Sequence, residues 1–144
     1  MNVINELNQF LEGNYMAIHA YEKYIYHCEN PELKHTLQQI QQQHKQHALM
    51  TAERIQNLGG IPVDNPGVKG TLIEWAKNLG DKTKGDTHIV EDALAGETRG
   101  IEVSQQILKG DLDFESKQLV ERILRVDEQH VELLNEQLQQ MIHS

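Results

Sequence analysis

The sequence predicts an all-α fold: a four-helix bundle made of two helical hairpins joined by one long crossover. Three observations predict it. Apolar residues recur at alternating steps of three and four along four long stretches, the spacing that lays one face of a helix against a core. Pro, Gly and capping residues separate those stretches, and Pro31, Pro62 and Pro66 all stand outside their interiors. The two halves of the chain also repeat at a fixed offset, as a duplicated hairpin does. An aromatic content of 5% further disfavours a sandwich or barrel of strands.

The first helix is expected over about 2–28, with Ile4, Leu7, Leu11, Ile18, Ile25 and Cys28 on its apolar stripe. Asn30 is placed to cap the second helix and Pro31 to occupy its first turn, where a missing N–H costs nothing. That helix, about 31–58, carries Leu33, Leu37, Ile40, Ile55 and Leu58 and stops at Gly59-Gly60. The crossover, about 59–85, is expected to hold a short amphipathic helix over 71–79 around Trp75. The third helix, about 86–109, uses Val90, Leu94, Ile101 and Leu108. Asp113 caps the fourth, about 113–142, which uses Val120, Ile123, Leu134 and Met141. The glutamines Gln38, Gln39, Gln41, Gln42, Gln43 and Gln46 read as a solvated face. Two short connections and one long middle one fit a bundle with a single crossover along its length.

All 144 residues fit one domain, 1–144, large enough for a core without disulfides. A net charge of −9 with no basic stripe argues against nucleic acid and against an anionic membrane surface. No apolar run is long enough to span a bilayer. The first residues lack the basic and apolar regions of a signal peptide, so a cytoplasmic location is expected. Cys28 is the lone cysteine, which rules out a Cys-based zinc site. No phosphate loop and no Ser-His-Asp or Cys-His arrangement is present.

The repeat brings out a candidate site. An offset of 83 carries Gly13 to Gly96, Asn14 to Glu97, His44 to Asp127 and His47 to His130. The same offset carries cap Asn30 to cap Asp113 and Ile40 to Ile123. Each of the six polar residues interrupts an apolar stripe, where an ionisable group is costly unless paired or bound to metal. Measured from the two turns at about 1.5 Å per residue, all six fall in one central layer.

The segments EGNYMAIHAYEKYI, QQQHKQHALMTAERI, LAGETRGIEV and RVDEQHVELL make the chain resemble the rubrerythrin and ferritin-like superfamily over nearly its whole length. Within it the sequence looks most like a small bacterial branch of unassigned function. The resemblance implies a di-iron carboxylate site: a Glu on helices one and three, and Glu-x-x-His on helices two and four. Glu97, His47 and His130 match that pattern, and Asp127 is a shortened carboxylate. Asn14 and His44 depart from it, each standing where a Glu is expected. Two carboxylates remain where the family has four, and they half-neutralise two Fe(II) ions.

Three readings of the layer follow. It holds a metal, mono- or dinuclear, with iron first and zinc as the alternative. It is a metal-free network of His–carboxylate hydrogen bonds in a structural or interaction bundle. Or it is solvated helix surface, if the helical register is rotated. Under the first, His44, His47, Glu97, Asp127 and His130 are metal ligands, Asn14 is a weak or indirect one, and Tyr21 is a phenol behind them. Weak oxidase or peroxidase activity is then implied, with an unidentified redox partner. The plainer and favoured reading of Tyr21 is a core tyrosine with one hydrogen bond. Glu22 and Glu102 are reserve ligands only if a helix is rotated. His19, His27, His35, His88 and His143 read as outer-face or end histidines. A homodimer is the expected assembly, and with the fourth helix ending near Ser144 a hollow iron-storage shell is not expected.

Overall fold

In this computed structural model, residues 2–65 and 85–143 are described. Their four helices are α1 (Val3–His27), α2 (Pro31–Asn57), α3 (Gly85–Leu108) and α4 (Phe114–His143), and the described residues contain no strand. The short helix expected over 71–79 lies outside them.

Local chemistry sets the helix ends. The Asn2 side chain accepts from the Ile4 N–H at 2.8 Å to start α1, and Asn30 accepts from the Leu33 N–H at 3.0 Å to start α2. Asp113 does the same for α4, accepting from the Ser116 N–H at 3.2 Å. α2 closes on Gly59, whose φ of 87° is the left-handed conformation that glycine takes without a Cβ penalty. Gly59 N–H then donates to Gln56 O and Gly60 N–H to Ile55 O, both at 2.9 Å, satisfying two carbonyls that the helix leaves free.

α1 packs on α2 and on α3, while α4 packs on α3 and on α2. Cross-links fix the directions. The Tyr24 hydroxyl, late in α1, donates to Asp92 Oδ2 early in α3 at 3.1 Å, and Asp86 accepts from the N–H groups of Glu29 and Asn30 at 3.0 and 2.9 Å. At the other end, Arg54 near the close of α2 reaches Asp113 at 2.8 Å, Glu115 at 2.7 Å and Ser116 Oγ at 3.1 Å. Neighbouring helices therefore run antiparallel. α2 ends and α3 begins at opposite ends of the bundle, which the segment between them therefore joins. Asn8 on α1 anchors its start, accepting from Val63 N–H at 2.9 Å and donating to Ile61 O at 3.2 Å.

The apolar core comes in two pieces. One is built around Leu7, Leu11, Ile55, Val120 and Ile123, the other around Tyr24, Leu33, Leu37, Ile40, Val90 and Leu134. The polar layer lies between them. Two expectations need correction. On α3 the buried stripe is Ile89, Val90, Ala93, Glu97, Ser104 and Ile107, so Leu94, Ile101 and Leu108 are only half-buried. Gln41 is not on a solvated face: it is buried, and its amide donates to Ile18 O and Glu22 Oε1, both at 3.0 Å. An amide that can satisfy its donors across α1–α2 is not confined to the surface.

Candidate metal centre

All six polar residues of the layer are buried: Asn14, His44, His47, Glu97, Asp127 and His130. They do not all meet. One ligand atom from each of His44, Glu97, Asp127 and His130 lies within 4.8 Å of the others. His47 stands outside that group. Asn14 turns its amide back along its own helix to donate to Phe10 O at 3.2 Å. His47 stacks edge-on to His44 with ring centroids 6.2 Å apart, and its Nδ1 has no hydrogen-bond partner.

Glu97 is the hub. Its Oε2 accepts from the Tyr21 hydroxyl at 2.5 Å and meets His44 Nε2 at 2.8 Å, while Oε1 meets His130 Nδ1 at 3.3 Å. Burial alone would raise its pKa. The hydrogen bonds from His130 and His44, and their charges, instead bring it down to about 2. Tyr21, fully enclosed beside this carboxylate, is pushed well above the ordinary phenol range by burial and then by the charge of Glu97.

His130 is fully buried. Burial opposes its charge, yet Asp127 and Glu97 raise its pKa to about 9, so a protonated imidazole is stable there. Its Nε2 meets Gln43 Oε1 at 2.5 Å. This second glutamine was not expected in the site. Its register three residues after Ile40 and one before His44 puts it at the edge of the buried face, and that is the signal the polar run conceals. Asp127 responds differently: burial raises its pKa despite His130 and His44 nearby. His47 falls to about 4, through burial and then the neighbouring His44 and His130.

Asp127 Oδ1 lies 3.4 Å from His130 Nδ1 and 3.9 Å from His44 Nδ1. Both Asp127 Oδ1 and His44 Nδ1 are buried without a hydrogen bond. His44 Nε2 faces the Glu97 carboxylate, so a metal ion would meet this ring at Nδ1, through the lone pair of its neutral form. Two buried polar atoms without hydrogen-bond partners thus face each other across 3.9 Å, a gap suited to a cation. Glu22 and Glu102 stay exposed and take no part.

The profile of a family described as a domain of unknown function (DUF2383) matches residues 2–110. The chain belongs to that family. The match to the DUF2383 profile spans α1 to α3 with Asn14, His44, His47 and Glu97, and stops before Asp127 and His130. No curated protein matches this DUF2383 chain. Among solved structures it is similar to the bacterioferritin-related protein from Bacteroides fragilis, described as a dodecameric thioferritin. The TM-score is 0.80 at 20% identity, covering 98% of this chain and 86% of that one. The fold of this DUF2383 protein is therefore the ferritin-like four-helix bundle.

Proposed function

We propose that this protein binds a single transition-metal ion, iron first and zinc as the alternative, through His44, Glu97, Asp127 and His130. The observation that carries the reading is the convergence of their four ligand atoms within 4.8 Å, with two buried polar atoms of these residues left without hydrogen-bond partners. Bonds of about 2.0–2.2 Å to a tetrahedral ion put ligand atoms roughly 3.3–3.6 Å apart. The separations of 3.3, 3.4 and 3.9 Å among His130, Glu97, Asp127 and His44 are close to that. Two imidazoles and two carboxylates suit Fe(II) or Zn(II) over Mg(II) or Ca(II), and the carboxylates balance one divalent ion, not two.

With an iron ion bound, the chemistry supplied is one-electron exchange with dioxygen or peroxide, and we assign weak oxidase or peroxidase activity on that basis. The protein's own part is to orient Glu97, through Tyr21 and His44, and to hold the site between two apolar core pieces. Binding displaces the His130 proton, since a ligating imidazole must be neutral on the metal-bound nitrogen. The ferritin-like neighbour's dodecamer supports self-association here, as a homodimer or a larger assembly.

A second reading has one observation in its favour. Glu97 is already satisfied by Tyr21, His44 and His130, as it would be in a metal-free structural bundle. Thermal unfolding separates the two. An ion at about 100 times its Kd stabilises the fold by about 2.7 kcal/mol, which in a domain of this size raises Tm by roughly 5–10 °C. Fe(II) added anaerobically, or Zn(II), is expected to produce such a rise. A Tm unmoved by either ion would support the metal-free bundle.

A further inference from the structure

A cleft of about 150 Å³ opens between α1 and α3, and its lining follows the internal repeat. Gly13 and Gly96, Ala17 and Gly100, Asn14 and Glu97 all line it, each pair 83 positions apart. The cleft therefore lies on the pseudo-twofold axis that relates the two hairpins. Small residues keep it open: a Cβ added at Gly13, Gly96 or Gly100 would meet no atom within 4 Å. Its rim is exposed at Gly13, Gly100 and Val103, and most of its wall is apolar.

The floor is where the repeat is broken chemically. His44, Glu97 and Asp127 line the cleft, whereas His130 does not; fully buried, it closes the group against Gln43. His44 is 4% and Asp127 7% exposed, and the unpartnered His44 Nδ1 and Asp127 Oδ1 belong to side chains on this floor. An ion held by the four residues has protein behind it and the cleft in front. Four protein ligands fill a tetrahedral ion, so a molecule reaching it from the cleft would take a fifth position, an expansion that reactive zinc sites also undergo. A space of this volume takes one molecule of about benzene size; Arg99 joins the lining, but the wall is mostly apolar, and desolvating a charged molecule against it is costly.

We propose that the α1–α3 cleft admits a small uncharged donor molecule, no larger than a single ring, to a coordination position on the ion. The inference rests on the metal reading above and adds that the ion is open to exogenous ligand from this one side. The plug variants Gly100→Leu and Gly13→Leu place a side chain at the rim from opposite walls. Both are helix-interior positions where Leu is the better helix former, so folding is retained.

The test uses Co(II)-loaded protein and imidazole, followed by visible absorption and by cobalt content before and after. In the wild type, imidazole is expected to shift the cobalt bands saturably with the ion retained. Each plug variant should load cobalt normally and bind imidazole at least tenfold more weakly. Wild-type bands indifferent to imidazole, unchanged imidazole affinity in both variants, or imidazole stripping the ion out would each overturn the inference. Loss of cobalt from both variants would also overturn it, making the cleft a support and not a passage. A wild type that takes up no cobalt would fail differently, by removing the metal reading itself.

Discussion

His130→Leu is expected to lower metal affinity by well over 100-fold. Losing a hydrogen bond that merely supports a ligand already costs roughly 10–100-fold. His130 does more: it supplies one of four converging ligand atoms and is the only one of the four residues with no side on the cleft. The substitution also removes the imidazole that meets Glu97 at 3.3 Å, Asp127 at 3.4 Å and Gln43 at 2.5 Å. Glu97 keeps Tyr21 and His44, but two buried carboxylates lose a protonated neighbour, so the metal-free fold should lose about 3–5 kcal/mol. The expected pattern is a protein that still melts cooperatively but no longer gains stability from Fe(II) or Zn(II). Calorimetric metal titration alongside thermal unfolding checks both halves. Retained affinity within about tenfold of wild type would exclude His130 as a ligand.

Asn14→Glu is expected to have the opposite effect and raise the capacity from about one ion per chain towards two. The reason lies in the broken repeat. Glu97, Asp127 and His130 in the second half correspond to Asn14, His44 and His47 in the first, offset by 83. In the second half the three residues engage one another. In the first, the Asn14 amide turns back to Phe10 O, and His47 is left with an unpartnered Nδ1. A carboxylate at 14 would stand to His47 as Glu97 stands to His130, and would supply the negative charge that a second divalent ion needs. Without metal, the added buried carboxylate faces Glu97 across the layer, and stability should fall by several kcal/mol. Metal should restore it. Metal content of Asn14→Glu remaining at the wild-type value, with stability insensitive to added ion, would show that the first half cannot be rebuilt by one ligand.

Much of the fold is legible in the sequence. The caps Asn30 and Asp113 and the left-handed stop at Gly59 follow from local chemistry that acts within a few residues. The repeat did the same for the layer, because a duplicated hairpin carries depth along with sequence. What sequence could not supply was rotation and reach. Helix α3 is turned so that Ser104 and Ala93 are buried while Leu94 and Ile101 are half-exposed, and no periodicity distinguishes those adjacent faces when both are partly apolar. Gln41 and Gln43 lay hidden in a polar run because a long amide can sit at the edge of a stripe and bond across a helix pair. Which of these residues converge, and that His47 does not, is set by side-chain direction. Asn14 bonds its own helix, which no spacing argument reveals.

The most direct test of the central claim is metal content per chain, by plasma mass spectrometry on untagged protein produced with added iron and zinc. A single ion at His44, Glu97, Asp127 and His130 predicts about one metal per chain, retained through dialysis. A content well below a tenth, unrestored by anaerobic Fe(II), would contradict it and leave the layer as a metal-free hydrogen-bonded network.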